Sequence, residues 1–346
     1  MVAPTTLAVL GATGYTGRLV VEEARRSGVP LRLVGRRRAA LEALALPGEE
    51  VRVADARDED ALRAAFEGAG VVASCAGPFL ELGFAPVAAA IASGAHYLDT
   101  TGEQEFVRRV HERFGAEAAA AGVVVMPAFG FDYVPGDLAA RLAASQVDGS
   151  LDELIVAYSV RGVGTSKGTR RTIAAVMAQE QVAWSGGRLV PSRFGATTRT
   201  VDFPFGRKTV VEWGGTEPIT VPRHTDVRDV RSYLRAPALA ARTAGLARLA
   251  APLLRRLSQL GPAGPAPEDR AKGRFTVVAE AQGHAGSGRA VLTGSDVYGL
   301  TALLIVRGAE ALLAGEVTEA GVLAPAEALD ARTFAARLEP YLRIEP

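Results

Sequence analysis

Cysteine is almost absent from this chain of 346 residues, since Cys75 is the only one. A single cysteine cannot form an internal disulfide, so the fold must rest on its apolar core, and we expect a reducing compartment. Long apolar runs are missing too, because residues 123–126 and 300–306 fall far short of the roughly 20 that a membrane-spanning helix needs. The first residues carry no basic segment ahead of an apolar one. We therefore expect a cytoplasmic protein without an export signal or transmembrane segment.

Lysine is scarce as well. Lys167, Lys208 and Lys272 are the only lysines, and arginine supplies the rest of the 39 basic residues, against 38 acidic ones. A net charge of +1 creates no global field that would collect nucleic acid, so no nucleic-acid partner is expected. Only four histidines occur, and no group of His, Cys and Asp has metal-ligand spacing, so we expect no metal site.

The hydrophobic fraction of 48% and the charged fraction of 22% are those of an ordinary folded protein. From residue 5 to residue 132, short apolar segments alternate with amphipathic ones, which predicts an α/β fold with a parallel sheet covered on both faces. The expected arrangement is the doubly wound Rossmann sheet, which binds ligands at the carboxyl ends of its strands. The predicted strands are 5–11, 31–38, 51–58, 71–79, 95–103 and 123–132, and the predicted helices are 18–28, 60–69, 85–94 and 106–122.

A second, α+β domain with a mixed or antiparallel sheet is predicted after Pro135 and Gly136. We expect a Rossmann domain over 1–137 with a helical return at 298–346, and a substrate or dimerisation domain over 138–297; a homodimer is compatible with this plan. The second domain is predicted to contain a strand at 151–160, a helix at 169–184, a Thr- and Val-rich stretch at 188–221, a leucine- and arginine-bearing helix at 236–260, a linker at 261–273, and a hairpin of 274–284 with 288–297.

The leucine- and arginine-bearing helix at 236–260 has three interpretations. It packs on its own domain, it walls an apolar acyl pocket, or its basic face docks an acidic carrier protein or a membrane surface.

The strongest functional signal is the glycine-rich turn GATGYTG, which follows a predicted strand and opens an amphipathic helix. In that context the first glycine permits the tight turn, the second lets the backbone approach a pyrophosphate, and the third lets helix and strand pack closely. Two threonine hydroxyls and the helix N-terminus add hydrogen-bond donors. The predicted contacts to the cofactor phosphates are Gly11, Thr13, Gly14, Tyr15, Thr16 and Gly17.

The residues after the second predicted strand decide the cofactor. An NAD enzyme places Asp or Glu there to bind the ribose 2′-hydroxyl, whereas this chain has Arg36, Arg37 and Arg38 and no acid. Guanidinium groups suit a 2′-phosphate, so NADP(H) is the expected cofactor, with Arg36 the leading contact and Arg37 beside it. Asp55 has two equal interpretations, a contact to the adenine amino group or a cap on the following turn.

The fourth predicted strand ends in small residues that would let the cofactor's ribose and nicotinamide cross the strand ends. These predicted cofactor contacts are Cys75, Ala76, Gly77, Pro78 and Phe79. Cys75 itself is interpreted as a core residue rather than a nucleophile, because it ends an apolar strand without a neighbouring histidine. Two further strand-end clusters are expected around the nicotinamide, at residues 97–103 and 129–133.

Several of these motifs together resemble the saccharopine dehydrogenase-like family of NADP-dependent oxidoreductases, and most closely its trans-acting enoyl reductase branch. They are GATGYTG, the arginines after the second strand, CAGPF, AIASGAHYLDTTGE and PAFGFDYVPGDLAA, and they cover residues 5–140 densely. GVLAPAEAL resembles the family's C-terminal closing motif. Gly164, Gly168 and Thr169 resemble its glycine-serine-threonine loop, but Lys167 stands where that loop has a second glycine.

The resemblance implies hydride transfer from NADPH to an enoyl or imine double bond of an apolar acyl substrate, including one held on an acyl carrier protein of a polyketide synthase. Such a reduction also needs a proton donor. The candidates are Lys167, Tyr133 and Asp132, with His224 below them. Asp132 has a competing interpretation as a cap of the helix after Pro135.

Two other functions remain open: a saccharopine-type amino-acid dehydrogenase with Lys167, Arg170 and Arg171 at the substrate carboxylates, and an NADP(H)-binding sensor or scaffold without turnover. The short-chain dehydrogenases are excluded. Their catalysis needs a Tyr-x-x-x-Lys pair, and the residues four positions before the three lysines are Val163, Pro204 and Glu268.

Overall fold

The computed structural model describes residues 5–162, 164, 166, 180–236 and 264–346. Within them the chain forms two compact units. The first comprises residues up to Thr101, Phe106–Phe131 and Tyr298–Leu323, and the second comprises Gly102–Glu105, Asp132–Val297 and Ala324–Pro346. The segment Ala324–Pro346 thus lies with the second unit, although the sequence assigned it to the first.

The first unit contains a seven-stranded sheet in which every pair is parallel. Its order, β15-β6-β5-β4-β1-β2-β3, reverses direction between β1 and β4, which is the switch point of a doubly wound sheet. The central strands are wholly buried, as their apolar sequences predict, whereas the edge strand β3 is largely exposed. The strands are β1 Leu7–Leu10, β2 Leu31–Gly35, β3 Glu50–Val53, β4 Val71–Ser74, β5 His96–Asp99, β6 Val124–Met126 and β15 Gly321–Val322.

The helices of this unit follow the predicted pattern, with two short additions. Predicted helices 18–28, 60–69, 85–94 and 106–122 correspond to α1, α3, α5 and α6, while α2 and α4 are single turns that the sequence did not indicate. The bounds are α1 Tyr15–Ser27, α2 Arg38–Glu42, α3 Glu59–Phe66, α4 Phe79–Leu82, α5 Phe84–Ala92, α6 Gln104–Ala120 and, much later in the chain, α10 Val297–Leu313.

A mixed sheet forms the second unit, and the predicted fold class is confirmed. Its main path runs β10-β11-β12-β7-β13-β14-β16, with β8 and β9 attached to β12; only the β12–β7 pair is parallel. The strands are β7 Leu151–Arg161, β8 Gln181–Ser185, β9 Arg188–Ser192, β10 Thr198–Phe203, β11 Gly206–Glu212, β12 Val227–Arg235, β13 Arg274–Gly283, β14 Gly286–Ser295 and β16 Leu342–Ile344.

Helix α7, Val134–Ala144, packs against β7, β13 and β14 of this sheet. It approaches so closely that a Cβ on Gly288 would lie 2.0 Å from the carbonyl oxygen of Ala143. On the sheet's other side, apolar residues of β7, β10, β11, β12, β13 and β14 form one buried cluster. The remaining helices are α8 Glu217–Thr220, a 3₁₀ turn Val221–Arg223, α9 Pro267–Lys272, α11 Pro325–Ala328 and α12 Ala331–Ala336.

Three predicted elements differ from the structure. The predicted end of the helix at 169–184 is wrong, because the residues from Gln181 onward belong to strand β8. Residues 169–179 lie outside the described part of the chain. The linker predicted at 261–273 contains α9, which starts at Pro267 with acidic residues in its first turn. The last strand of the Rossmann series ends at Met126, because Ala128 adopts a left-handed backbone with φ of 61°. The predicted helix at 236–260 lies outside the described residues except for its first.

Candidate functional site

The glycine-rich turn joins β1 to α1 in the geometry that a dinucleotide requires. Gly11 has φ of +80°, a conformation that side-chain-bearing residues avoid. A Cβ on Gly17 would lie 2.2 Å from the Gly11 carbonyl oxygen, so any side chain there would force helix and strand apart. Gly14 is exposed and caps α1 without any side-chain hydrogen bond. The amides at the start of an α-helix have no acceptor within the helix, and this is where a pyrophosphate fits.

Two contacts support the glycine-rich turn where α1 begins. The Thr13 carbonyl oxygen accepts a hydrogen bond from Arg18 Nε at 3.2 Å. The ring of Tyr15 packs edge-on against Tyr298 of α10, with 5.2 Å between centroids. Tyr298 thus supports the turn from a helix almost 300 residues later in the chain, a contact that no sequence pattern indicated.

Exposed arginines lie after the ends of β2 and β3. Arg36, Arg37 and Arg38 are all exposed, and no carboxylate follows β2 directly. Arg36 Nη1 lies 3.8 Å from Asp55 Oδ2, while Arg57 Nη1 lies 3.9 Å from Asp55 Oδ1, so Asp55 stands between two guanidinium groups. Arg36 and Arg57 remain 69% and 62% exposed, which leaves them able to take an anion from solvent.

Asp55 also organises its own turn. Its Oδ1 accepts a hydrogen bond from the Arg57 amide at 3.0 Å. The cap of α3 is instead Asp58, whose Oδ1 accepts from the Ala61 amide at 3.0 Å. Asp55 therefore caps this turn, and its contact to the adenine amino group stays a prediction.

The loop after β4 lies directly beside the glycine turn. The Cys75 amide donates to the Leu10 carbonyl at 2.8 Å, and a Cβ on Gly11 would lie 3.2 Å from the Cys75 backbone. Residues 75–78 are at least partly accessible, whereas Phe79 is 5% exposed and packs on Phe106 at 5.6 Å. Burial raises the pKa of the Cys75 thiol to about 12, so the thiol stays protonated and is a poor nucleophile.

Asp99, at the end of β5, fixes the loop that follows β6. Its Oδ1 accepts hydrogen bonds from the amides of Thr101 at 2.9 Å and Ala128 at 2.8 Å. The bond to Ala128 holds the left-handed residue in place. The same loop is supported from α10, where Thr301 Oγ1 accepts from the Phe131 amide at 3.2 Å. This strand-end cluster is thus buried scaffolding rather than a set of accessible side chains.

Asp132 is the exposed member of the predicted catalytic set. The residue is exposed, yet protein surrounds its carboxyl closely enough that burial raises the pKa to about 6. Its interpretation as a helix cap is wrong: Tyr133 occupies the N-cap position of α7, and that cap has no side-chain hydrogen bond.

Tyr133 is buried in the second unit. It is 2% exposed, and its hydroxyl donates to the Gly102 carbonyl at 2.8 Å. Its ring stacks on Trp213, with 6.0 Å between centroids. Burial and the nearby carboxyl of Asp132 raise the pKa of Tyr133 well above its ordinary value. These contacts suit a wall residue better than an accessible proton donor.

A buried carboxyl, Glu217, lies next to this wall. Its two oxygens accept hydrogen bonds from Tyr158 Oη at 2.6 Å and from Ser232 Oγ at 2.5 Å. Cβ atoms on Gly136 and Gly215 would each lie 2.2 Å from one of those oxygens, so both positions need glycine for this carboxyl to fit. Burial raises the pKa of Glu217 to about 7.

His224, the weaker sequence candidate, is part of a separate buried pair. Its Nε2 lies 3.1 Å from Asp137 Oδ1, and the two side chains are 4% and 1% exposed. Burial alone would raise the pKa of Asp137, but the His224 partner and the hydrogen bonds from Thr220 and Ala326 lower it overall. Because Asp137 Oδ2 accepts from the Ala326 amide at 2.8 Å, the pair fastens α11 to α7.

Glu217, Tyr158 and Trp213 were not among the residues predicted from the sequence. The adjacent glycines 214 and 215 before an acid were a usable signal, since glycine beside an acidic residue marks a close backbone approach. Lys167 lies outside the described residues. Within those residues no group of three or more His, Cys, Asp or Glu has the arrangement of a metal site. No helix in the described part combines the length and apolarity needed to cross a bilayer.

Comparisons with known proteins agree with this site. A family model described as NAD(P)H-binding matches residues 11–128, which contain the glycine turn, the arginines and the loop after β4. A probable mitochondrial saccharopine dehydrogenase-like oxidoreductase of Arabidopsis thaliana is 34% identical over 44% of this chain and 37% of its own length. A putative trans-acting enoyl reductase of Mycobacterium tuberculosis is 34% identical over 49% of this chain and 44% of its own. The aligned part of this chain covers less than half of either relative.

The fold has a full-length counterpart. Saccharopine dehydrogenase (L-Glu forming) of Saccharomyces cerevisiae superposes with a TM-score of 0.64 over 99% of both chains, at 13% identity. Such low identity establishes the fold alone. Residues 11–128 thus match an NAD(P)H-binding model, just under half of the chain is similar to saccharopine dehydrogenase-like oxidoreductases, and the fold is that of saccharopine dehydrogenase.

Proposed function

We propose that this protein is an NADPH-dependent reductase that transfers hydride to the activated double bond of an apolar enoyl substrate held as a thioester, including one tethered to an acyl carrier protein. The mycobacterial relative named a trans-acting enoyl reductase supports the enoyl substrate. An imine substrate and a saccharopine-type reaction are the alternatives that the assays below separate.

One observation carries the choice of NADPH: the accessible guanidinium groups of Arg36 and Arg57 on both sides of Asp55, next to a turn whose glycines would admit a pyrophosphate. The residues fit the cofactor. The α1 amides would hold the pyrophosphate, Arg36 and Arg37 the 2′-phosphate, and the accessible loop 75–78 the nicotinamide half. When bound, NADPH supplies the hydride.

The chain must then supply a proton, because hydride addition at C3 of an enoyl thioester leaves C2 to be protonated. Asp132 is our proposed donor. Its pKa of about 6 keeps a useful protonated fraction near neutral pH, and the residue is exposed to an incoming substrate. Tyr133 and Trp213 would form the wall beside it. Lys167 remains a proposed second donor.

The test combines cofactor titration with single-turnover kinetics. We expect wild-type protein to bind NADPH more tightly than NADH, and to oxidise bound NADPH when mixed with crotonyl thioesters but not with imines, including the imine of an amino acid and an oxo acid that a saccharopine-type reaction reduces. Arg36→Gln removes a charge-assisted phosphate contact, so its NADPH dissociation constant should rise by about 10- to 100-fold, while that of NADH changes little.

Arg26→Gln is the matched control. Arg26 is 62% exposed on α1 and paired with Glu22 and Glu23, so its removal takes the same charge from a different surface. Equal affinity of the wild type for NADH and NADPH would refute the cofactor choice. Binding without oxidation by any enoyl thioester would leave a non-catalytic NADP(H)-binding protein.

A further inference from the structure

Three cations of the second unit converge on one aromatic ring. Arg161 Cζ lies 4.4 Å from the centroid of Phe205, Arg235 Cζ lies 5.7 Å away, and Lys208 Nζ lies 5.9 Å away. We call Arg161, Lys208, Arg235 and Phe205 the Phe205 cluster. No function was predicted from the sequence for the residues of this cluster.

The topology brings these residues to one end of the mixed sheet. Arg161 and Arg235 are the last residues of β7 and β12, which are parallel neighbours and therefore end at the same edge. Phe205 lies in the tight turn between β10 and β11, and Lys208 follows in β11. The ring also stacks on Phe203 at 5.3 Å, so it is anchored in the apolar cluster beneath.

These cations lack the acidic partners that other arginines of the same sheet have. Arg199 pairs with Glu153 at 2.7 Å, Arg231 with Glu212 at 3.0 Å, and Arg207, in the same hairpin as Phe205, with Asp202 at 3.3 Å. No carboxylate among the described residues forms an ion pair with any of the three cations of the Phe205 cluster. At physiological salt, like charges that lie within the screening length of about 8 Å repel one another. An anion bound among the three cations would therefore reduce their repulsion.

A hydroxyl without a partner lies on the same face. Ser159 is 2% exposed, and its Oγ has no hydrogen-bond partner among the residues described. Alternate residues of a strand share a face, so Ser159 and Arg161 both lie on the face of β7 that carries Ile155 and Ala157 of the apolar cluster. A buried hydroxyl usually has a partner, so Ser159 has an unused hydrogen-bond donor on the face of the strand that ends in Arg161.

We propose that the Phe205 cluster binds the phosphate of a phosphopantetheine arm, the handle that carries acyl groups as thioesters. This proposal rests on the proposed function, since it assigns a binding site to the handle of that substrate. Two guanidinium groups and an ammonium group match a phosphate ester in charge and in hydrogen-bond donors, and the Ser159 hydroxyl adds a donor. The partly buried ring of Phe205, which packs on the apolar cluster, offers a contact to the alkyl part of the arm.

Binding without turnover is measured first. Isothermal titration uses 4′-phosphopantetheine and pantetheine, which differ only in the phosphate and lack the nucleotide that would compete for the NADPH site. We expect phosphopantetheine to bind at least about tenfold more tightly at low salt, with the advantage shrinking as salt rises. Arg161→Gln and Lys208→Gln should each remove most of this advantage, while Arg207→Gln, which takes an ion-paired charge from the same hairpin, should leave it intact.

Turnover then separates the sources of the phosphate. Crotonyl-pantetheine, crotonyl-CoA and crotonyl carrier protein are compared as substrates, and the KM of the two phosphate-bearing forms should rise about tenfold in Arg161→Gln while kcat stays constant. A rise with CoA alone, or with the carrier alone, identifies which source the site uses.

The two proposals fail differently. Binding that depends on the phosphate and on Arg161, without reduction of any crotonyl thioester, would refute the proposed function but not the phosphate site. Efficient reduction with the same KM for crotonyl-pantetheine and for the two phosphate-bearing substrates, in both wild type and Arg161→Gln, would refute the phosphate site but not the proposed function. Unchanged melting curves of the variants show that lost affinity is not lost folding.

Discussion

Glu217 gives a prediction whose size follows from the structure. Its carboxyl is fully buried, and burial raises its pKa from 4.5 to about 7. Below pH 4.5 the folded and unfolded chains both hold the proton. Between pH 4.5 and 7 the folded chain keeps a proton that the unfolded chain has released, so stability falls as pH rises through this window. Above pH 7 both are ionised and the loss is complete.

The gap between the two pKa values corresponds to about 3 kcal/mol of unfolding free energy, at a slope of no more than about 1.4 kcal/mol per pH unit. Glu217→Gln keeps the shape and one acceptor for the hydroxyls of Tyr158 and Ser232, but it cannot ionise. The stability of wild type relative to Glu217→Gln should therefore decline by about 3 kcal/mol between pH 4.5 and pH 8.

Urea unfolding at intervals across that range measures this difference, with tryptophan fluorescence as the signal. Both tryptophans, Trp184 and Trp213, lie in the second unit, so the signal reports the unit that contains Glu217. Glu42→Gln, at an exposed helix position, serves as the control, and its curve should run parallel to that of wild type. If the Glu217→Gln curve also runs parallel to wild type, the carboxyl does not change protonation on unfolding and the reasoning is refuted.

Two further predictions concern the cofactor turn and the proton donor. Gly17→Ala places a Cβ 2.2 Å from the Gly11 carbonyl oxygen, so NADPH binding should be lost in a cofactor titration and thermal melting should show a destabilisation of about 1–3 kcal/mol. Gly115→Ala is the control, because a Cβ at that position on α6 meets open space, and it should change neither binding nor fold. Normal NADPH affinity of Gly17→Ala would contradict the close-packing argument. The wild-type rate of crotonyl thioester reduction should fall as pH rises above about 6, because Asp132 then loses its proton. Asp132→Asn should lower kcat and abolish this decline in the pH profile. A pH profile identical to that of wild type would remove Asp132 as the donor.

The cofactor half of the fold could be predicted because its signals are local. Each Rossmann strand is a short apolar run with its own flanking turn, and the roles of Gly11 and Gly17 follow from neighbours six residues apart. The parallel order and the mixed second sheet were therefore predictable in kind. The boundary errors arose where tertiary contacts override local pattern: Gln181 joins a strand because β8 pairs with β9 and β12, not because of its own sequence.

The candidate catalytic site was harder to predict because its residues come from distant parts of the chain. Asp132 and Tyr133 were found only as neighbours of a recognisable motif, and their environments separated them afterwards into an exposed acid and a buried wall residue. Glu217 was missed because its partners, Tyr158 and Ser232, lie 59 and 15 positions away, and the two glycines before it indicate only a close backbone approach.

By itself the sequence determined the glycine-rich turn, the run of arginines after β2, and the alternation of strands and helices, since all of these depend on residues within a few positions of one another. The folded chain alone decided which acids are buried, which cations stay unpaired and which glycines must remain glycine. Those properties depend on burial and distance, and both arise only when strands far apart in the chain, such as β7, β11 and β12, come together in one sheet.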